Sequence, residues 1–459
     1  MDRAAFRTEL AAATRLAAPV AATQLGFMLM GVVDTMMLGH LSARALAAGA
    51  LGNILTFTCL VLGQGILSAL DPLASQAWGA RDHAAIAGYL QRGLVMAVAL
   101  TAPFVLGLLD IGPLLRAAGQ PAGVSLDAAA YTRGILWGVL PYFLFIALRQ
   151  TLQAMSVVRP AAVAIVLGNL VNLVCNWAFI FGHLGLPALG VRGSAYSTSA
   201  ARWTMFLYLL IASRRGLAPY WRGGQGFTAA ATDLRGYLLM LRIGLPIGFH
   251  NTAELGIFAA AAVLIGRIGV TELAGHQIAI NLASLSFMVP LGVAGAAATR
   301  VGNAIGRGDM PGARRSAAVS LLLGAGTMSC FSLLFAVVPG PLGRLYTQDP
   351  GVIAVVALLL PIAAVFQVFD GLQVVAAGAL RGSADTTFPA LIALFGYWAL
   401  GLPVGWFLAF RRGLGARGLW WGFVVGLMAV AILLLLRIAV RFRRPLTRVG
   451  GEPDRKGMP

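Results

Sequence analysis

Residues 352–379 read VIAVVALLLPIAAVFQVFDGLQVVAAGA, and Asp370 is the only charged residue among them. A helix needs about 20 apolar residues to cross a bilayer core of roughly 30 Å, so this stretch is long enough to span a membrane. Similar runs recur along the 459 residues, of which 59% are hydrophobic and 11% are charged. Because soluble domains contain about 25% charged residues, the composition predicts a polytopic membrane protein.

The uninterrupted apolar runs predict twelve transmembrane helices. Strands of a membrane barrel alternate over about ten residues, whereas these runs are solidly apolar over about twenty, so we expect an all-α fold. The approximate limits of the twelve spans are 16–38, 46–70, 93–109, 128–148, 161–182, 193–212, 238–266, 273–298, 316–339, 352–379, 388–410 and 416–440.

The distribution of basic residues predicts the orientation of these spans. With twelve spans, the two termini and the even-numbered connections share one side, which holds 22 Lys and Arg, against 8 on the opposite side. Basic residues accumulate in cytoplasmic loops, so we expect both termini in the cytoplasm. We therefore expect a multi-pass protein of the bacterial inner (plasma) membrane, with the lipid bilayer as its surroundings.

The two halves of the chain resemble each other. The sequence Leu-Gly-x-Arg-Gly occurs at 189–193 and again at 414–418. Agreement of loop residues in one register favours a duplication over chance similarity, and six spans in each half give parallel repeats of the same topology. A shift of 227 residues places Pro19 on Pro246, Gly39 on Gly266, Gly79 on Gly306 and Asp82 on Asp309.

The duplication predicts two pseudo-symmetric six-helix bundles. The longest polar connection, rich in Arg and Gly, falls midway along the chain. We therefore expect the chain to divide into an N-terminal bundle at 1–215, a cytoplasmic linker at 216–236, a C-terminal bundle at 237–444 and a disordered cytoplasmic tail at 445–459.

The residue inventory excludes several classes of protein. Lys456 is the only lysine, so no Walker A loop exists for ATP hydrolysis. The three cysteines lie far apart within apolar runs, which argues against a disulfide framework or a zinc cluster. The arginines that give the net charge of +18 lie between apolar runs, which indicates loops facing anionic lipid rather than nucleic acid. With no catalytic motif either, we expect neither an enzyme nor a cofactor or metal site.

Three acids lie inside predicted spans. Asp34 is the only charge in 16–38, Glu254 is the only acid between Arg242 and Arg267, and Asp370 stands alone in its run. A charge at the centre of a bilayer costs about 2.5–3.5 kcal/mol on insertion scales, so each acid is a candidate functional residue. The identified deep charges are acidic, which favours a cationic cargo.

Polar residues accompany the three acids at helical spacing. Such stripes either join helices by hydrogen bonds or line a hydrated cavity, and the pattern alone leaves both readings open. His250 and Glu254 are i,i+4 neighbours, but one His and one acid do not make a zinc site. The candidate polar residues are Asn172 and Asn176 on the fifth span, His250 on the seventh, Gln277 and Asn281 on the eighth, and Gln367 and Gln373 on the tenth.

Six stretches carry a resemblance to a known family. They are PVAATQ at 19–24, VDT at 33–35, LGH at 38–40, PLASQAWG at 72–79, GHQIAIN at 275–281 and QVVAAGALRG at 373–382. With these motifs the chain resembles the multidrug and toxic compound extrusion (MATE) family, in its NorM-like branch. The resemblance covers residues 10–440.

The resemblance implies a secondary antiporter that exports small organic cations or drugs in exchange for H⁺ or Na⁺. It implies that Asp34, with Asn172 and Asn176, and the pair Glu254 and Asp370 bind the coupling cation or the substrate. Phe366 stands where sodium-coupled relatives carry a tyrosine hydroxyl, and this departure favours H⁺. We expect a monomer.

Pro19 lies fifteen residues before Asp34 on the first span. Proline removes a backbone hydrogen bond and crowds the preceding turn, so we expect a hinge whose bending depends on the protonation of Asp34. Two other readings remain. A flippase for lipid-linked sugars shares the broad architecture but is expected to need several basic residues in its cavity, and a purely structural protein or receptor does not account for the isolated acids.

Overall fold

The computed structural model describes residues 3–222 and 232–450, which form α-helices joined by short loops. No strand occurs in this part of the chain. The helices are α1 (Arg3–Leu41), α2 (Ala43–Leu67), α3 (Leu70–Gly79), α4 (His83–Leu108), α5 (Gly112–Ala117), α6 (Ala122–Ile135), α7 (Val139–Ala154), α8 (Arg159–Phe181), α9 (Val191–Arg222), α10 (Leu234–Gly266), α11 (Val270–Gly306), α12 (Met310–Val337), α13 (Pro339–Arg344), α14 (Pro350–Gly382), α15 (Thr387–Leu394), α16 (Leu402–Trp406) and α17 (Ala416–Arg441).

Eleven helical stretches in the described ranges are long and apolar enough to cross a membrane. The predicted span 193–212 is not among them, although it lies within the 32-residue helix α9. Its Ser and Thr residues and Arg202 lower its mean hydropathy. The eleven apolar helices, and the absence of strands from the described residues, confirm the prediction of a polytopic all-α membrane protein.

Helix boundaries differ from the predicted spans because an apolar run marks the part suited to lipid, not the end of backbone hydrogen bonding. Helix α9 continues to Arg222 and α10 begins at Leu234, so both enter the predicted linker 216–236. Residues 223–231 of that linker lie outside the described residues. The fourth span is interrupted by a 3₁₀ turn at Leu136–Gly138. The eleventh contains π-helical segments, one on each side of α16.

The described residues form two compact units. We call them the N-unit, from Thr23–Leu70 and Asp82–Gly248, and the C-unit, from Met1–Ala22, Asp71–Arg81 and Phe249–Pro459. Helices α1 and α10 each begin in one unit and end in the other. These units do not follow the predicted chain ranges, because compactness depends on packing and a long helix can pack with different neighbours at its two ends.

The duplicated loop residues have the same structural role in both halves. Asp82 caps the start of α4 by accepting from the backbone N–H of Ala85 at 2.9 Å. Asp309 caps α12 in the same way, from Gly312 at 2.8 Å. An aspartate at this position satisfies a backbone N–H that has no partner within the helix, which is why it recurs.

The paired glycines Gly79 and Gly306 allow two helices of the C-unit to touch through their backbones. A Cβ atom on Gly79 would lie 2.1 Å from the carbonyl oxygen of Asn303, and one on Gly306 would lie 2.0 Å from that of Gln76. Neither position can accept a side chain without displacing the other helix. The two duplicated glycines therefore allow one close crossing between α3 and α11.

The predicted tail 445–459 begins with residues that pack on the C-unit. Leu446 is buried, and the backbone N–H of Val449 donates to Oε1 of Gln76 at 2.8 Å. Just before the predicted tail, Nε of Arg314 donates to the carbonyl oxygen of Phe442 at 2.7 Å. Residues 445–450 of the predicted tail are therefore held against the C-unit by a buried leucine and a backbone hydrogen bond, while 451–459 lie outside the described residues.

Candidate functional site

In the N-unit, Asp34 of α1 contacts both predicted asparagines of α8. Nδ2 of Asn172 and Nδ2 of Asn176 donate to Oδ1 of Asp34 at 2.9 and 2.6 Å. Nδ2 of Asn176 also donates to Oδ1 of Asn172 at 3.2 Å, and their i,i+4 spacing places both amides on one face of α8. All three side chains are buried. These charge-assisted hydrogen bonds stabilise a carboxylate that is otherwise removed from water.

Two residues of α9, which sequence reasoning did not identify, complete this cluster. Oγ1 of Thr198 donates to Oδ2 of Asp34 at 2.8 Å. Arg202, one helical turn further along, is buried and lies within electrostatic range of Asp34, although the two do not form an ion pair. Its guanidinium carbon lies 5.0 Å from the centre of the Tyr142 ring, a cation–π contact. The signal available in the sequence was the i,i+4 spacing of Thr198 and Arg202 inside a predicted span.

Buried arginines correct the expectation that the deep charges are acidic. Besides Arg202, the N-unit buries Arg149 of α7, whose Nη1 donates to Oε1 of Gln24 at 3.1 Å. The expectation fails because a long basic side chain inside a span can be satisfied by neutral amides and aromatic rings. In the C-unit, by contrast, the pair Glu254 and Asp370 forms no ion pair with a described residue.

In the C-unit, a single amide joins the two predicted acids. Nε2 of Gln373 donates to Oε1 of Glu254 at 2.9 Å and to Oδ1 of Asp370 at 3.3 Å. Asp370 and Gln373 are buried one turn apart on α14, and Glu254 of α10 is partly exposed. Two like charges therefore lie close together with little water, and their repulsion favours binding of a cation or a proton.

Each acid of this pair keeps one oxygen free. Within residues 3–222 and 232–450, no group donates to Oε2 of Glu254 or to Oδ2 of Asp370. Oε1 of Gln373 and Oε1 of Gln367 are buried without a hydrogen-bond partner among the same residues. Carboxylate and amide oxygens are the ligands that hard cations prefer, so the arrangement can take up a proton or a small cation.

A tyrosine not identified from the sequence also reaches this pair. The hydroxyl of Tyr397 lies 3.5 Å from Oε1 of Glu254, and its side chain is buried. Phe366 of α14 is buried against Trp420, with ring centres 5.7 Å apart. The hydroxyl beside Glu254 therefore comes from the π-helical segment Phe395–Gly401 and not from position 366.

Gln367 and His250 are buried near this region but bond to other partners. Nε2 of Gln367 donates to Oγ of Ser286 at 2.6 Å. Nδ1 of His250 lies 3.2 Å from the carbonyl oxygen of Pro389, the residue through which it contacts α15. Both side chains join helices of the C-unit, which is the structural role that the sequence left open for polar residues in spans.

The two candidates on α11 do not bond to the acid pair. Oδ1 of Asn281 accepts from the hydroxyl of Tyr346 at 3.1 Å. The side chain of Gln277 is exposed and makes no hydrogen bond within the described ranges. Across those ranges, no group of three or more His, Cys, Asp or Glu side chains is arranged to hold a metal ion.

Pro19 lies inside the continuous helix α1, three residues before the boundary between the two units. The start of α1 is attached within the C-unit through Glu9. Nε and Nη2 of Arg300 each donate to the Glu9 carboxylate at 2.6 Å, and Oγ of Ser316 donates to it at 2.6 Å. A bidentate arginine contact of this kind fixes both position and direction.

Solved structures of similar fold share nearly the whole length of the chain. A eukaryotic MATE transporter, AtDTX14, has a TM-score of 0.84 at 23% identity, with 95% of this chain and 96% of that chain covered. An outward-facing multidrug resistance MATE family transporter of the MOP superfamily has a TM-score of 0.83 at 20% identity and the same coverage. At these identities the likeness concerns the fold, which in MATE transporters has twelve helices in two bundles. The predicted fold class is therefore confirmed.

Relatives of known name match over more than nine-tenths of their length. The chain is 39% identical over 439 residues to the "Probable multidrug resistance protein NorM" of Rhodopseudomonas palustris, with 94% of this chain and 92% of that protein covered. It is 40% identical over 436 residues to multidrug resistance protein NorM of Burkholderia vietnamiensis, with 93% of each covered. The MatE family model matches residues 19–178 and 246–407. The chain therefore belongs to the MatE family of membrane transporters.

Proposed function

We propose that the protein exports organic cations and other amphipathic drugs in exchange for H⁺, with binding at Glu254 and Asp370. The observation that carries this proposal is the shared amide of Gln373, which is the donor common to two adjacent carboxylates. An organic cation and the coupling ion then compete for the same negative charge. The names of the NorM relatives, which are multidrug resistance proteins, support a multidrug substrate range.

The competition produces exchange because the acid pair is least stable when it is empty. Two close carboxylates repel each other in a site of low dielectric, so release of one cation favours capture of another. If the site opens to the two sides of the membrane in turn, the ion gradient drives the drug in the opposite direction.

The choice of H⁺ over Na⁺ rests on the oxygen ligands around the pair. Sodium needs several oxygens around it, and the buried ring of Phe366 supplies none. A proton needs one carboxylate oxygen, and each acid has an oxygen without a hydrogen bond in the described part of the chain. Sodium coupling is the alternative, with Gln367 and Gln373 as neutral ligands.

In the N-unit we propose that Asp34 senses the transport cycle through α1. The Glu9 contact with Arg300 fixes the start of this helix, and the Asp34 cluster holds its later part in the N-unit. Pro19 lies between the two attachments and acts as the hinge, because a proline within a helix weakens it locally. Neutralising Asp34 weakens its three hydrogen bonds and releases the later part of α1.

The proposal extends to the location of the protein. We propose a monomer in the bacterial inner (plasma) membrane. We propose that both termini lie in the cytoplasm, because the basic residues of the loops favour this orientation. A reporter fused to the C-terminus should be active in the cytoplasm. Activity only in the periplasm would contradict this orientation.

The test is efflux of ethidium, a fluorescent organic cation, from proteoliposomes with an imposed pH or sodium gradient. We expect a pH gradient alone to drive efflux, and Glu254→Gln to abolish it. Gln277→Ala is the matched control, because Gln277 is a polar residue of the same unit that is exposed and unbonded.

Two outcomes would change the proposal. Robust efflux with a sodium gradient and no pH gradient, lost in Glu254→Gln, would replace H⁺ by Na⁺ at the same site. Movement of a lipid-linked sugar without any flux of organic cations would contradict the drug-export function itself.

A further inference from the structure

The helix that carries Tyr397 is π-helical where it meets α10. Residues Phe395–Gly401 form one π-helical segment and Phe407–Arg411 form another. π-Helical turns are rare and occur frequently at functional sites, because the wider turn changes the direction of its side chains. Nothing in the apolar sequence of this span indicates such a turn.

The first π-helical segment attaches two consecutive side chains to two consecutive residues of α10. Nε1 of Trp398 donates to the carbonyl oxygen of Ala253 at 3.1 Å. The hydroxyl of its neighbour Tyr397 lies 3.5 Å from Oε1 of Glu254. In a regular α-helix consecutive side chains point about 100° apart, and a wider turn reduces this angle. The π-helical turn therefore lets both side chains reach the same helix.

The surroundings of Tyr397 leave its hydroxyl directed at the acid. The ring is buried, and it shares an apolar cavity with Ile257, Phe258 and Phe423. A tyrosine hydroxyl that is removed from water needs a hydrogen-bond partner, and Glu254 is the acceptor within its reach. The hydroxyl and Nε2 of Gln373 thus approach the same oxygen, Oε1, and the same amide bonds to Asp370, the titratable group that faces Glu254 from α14.

We infer that Tyr397 is a positioning residue that controls how tightly Glu254 holds the coupling ion. Its hydroxyl and the Gln373 amide hold Oε1, which leaves Oε2 for the ion. A donor to a carboxylate stabilises the charged form, so the hydroxyl assists release of a proton from Glu254. This inference rests on the proposed function and adds a residue to that site.

The test compares Tyr397→Phe with Trp398→Phe. The first variant removes the hydroxyl beside Glu254 and keeps the ring, while the second removes the adjacent hydrogen bond to the same helix and leaves the acid untouched. Ethidium efflux is measured against pH in proteoliposomes. We expect Tyr397→Phe to lower the proton concentration of half-maximal efflux about threefold, which is a shift towards higher pH. A weak hydrogen bond is worth about this factor. Trp398→Phe should leave the pH profile in place.

Ethidium binding to the purified protein, measured against pH, gives the same comparison without transport. An unchanged profile in Tyr397→Phe, or an equal shift in Trp398→Phe, would overturn the inference while efflux persists. Absence of gradient-driven efflux in the unmodified protein would instead refute the proposed function, and the binding profiles would then decide the role of Tyr397 alone.

Discussion

The two acidic clusters differ in how many hydrogen-bond donors each carboxylate receives. Asp34 in the N-unit receives three donors, from Asn172, Asn176 and Thr198, and both of its oxygens are occupied. In the C-unit, Glu254 and Asp370 share the amide of Gln373, and Glu254 has one further donor, the hydroxyl of Tyr397 at 3.5 Å. Each acid keeps an oxygen without a hydrogen bond in the described ranges.

This difference separates an internally balanced charge from an unbalanced one. The positive charge of buried Arg202 acts on Asp34 from within the protein, without an ion pair between them. Neither cluster forms an ion pair with a described residue, but the charge that acts on Asp370 is the like charge of Glu254, so we propose that a counter-charge comes from outside. The comparison supports our proposal that cations bind in the C-unit and that the N-unit cluster has a supporting, conformational role.

The strongest test of the comparison is removal of one C-unit charge. Glu254→Gln and Asp370→Asn should each lower ion-driven ethidium efflux at least tenfold, because either change removes the repulsion that makes the empty site take up a cation. Efflux in proteoliposomes measures this loss. Asp110→Asn is the control, since Asp110 is exposed and its ion pair with Arg133 is a surface contact. Efflux close to normal in both variants would place cation binding elsewhere.

A smaller loss is expected at Asp34. Asp34→Asn keeps the shape of the side chain but turns charge-assisted hydrogen bonds into neutral ones, so the unfolding free energy should fall by about 2 kcal/mol. Export should fall several-fold, because the later part of α1 loses its charged attachment. Thermal unfolding in detergent and ethidium efflux measure the two effects. Full export by Asp34→Asn would show that this acid has no part in the cycle.

The internal balance of the N-unit can be measured with a double-mutant cycle. Arg202→Met removes the positive charge, Asp34→Asn removes the negative one, and the double variant removes both. Each single change leaves a buried charge without its counterpart, so the double variant should be more stable than additivity predicts, by about 1 kcal/mol. Thermal unfolding of the four proteins gives this coupling energy. Strict additivity would mean that Arg202 does not balance Asp34.

The smallest effect is expected at Gln277, which the sequence placed in the cavity lining. Because it is exposed and unbonded within the described residues, Gln277→Ala should change the unfolding free energy by less than about 0.5 kcal/mol. Ethidium efflux should remain within twofold of normal. A larger loss of efflux with unchanged stability would return this residue to the substrate path.

The sequence identifies the acids but not all of their partners. The sequence shows the three acids because a lone charge in an apolar run costs free energy in a membrane and therefore indicates a functional residue. They are Asp34, Glu254 and Asp370. Thr198 contacts Asp34 across 164 residues of chain, a pairing that periodicity on one helix cannot supply. Tyr397 reads as an ordinary aromatic residue of a span, because the turn that directs it has no sequence signature.

The fold is predictable to a greater degree because its main signals are local. Length and apolarity define each helix, and the caps Asp82 and Asp309 follow from unpaired backbone N–H groups. The membership of α1 in two units is not local. It depends on which side chains contact Glu9 and Asp34. A prediction made from consecutive residues does not include these contacts, so it assigns the whole helix to one bundle.

The shared amide of Gln373 also has an electrical consequence. Two carboxylates that share one neutral amide and form no ion pair with a described residue can release two monovalent ions when they accept one monovalent drug. Exchange in that ratio moves one net charge across the membrane in each cycle, and the membrane potential contributes about 2.3 kcal/mol for every 100 mV to that charge. Exchange of one ion for one drug moves no net charge and gains nothing from the potential. The ratio set by these two acids therefore determines whether the protein can use the membrane voltage as well as the ion gradient.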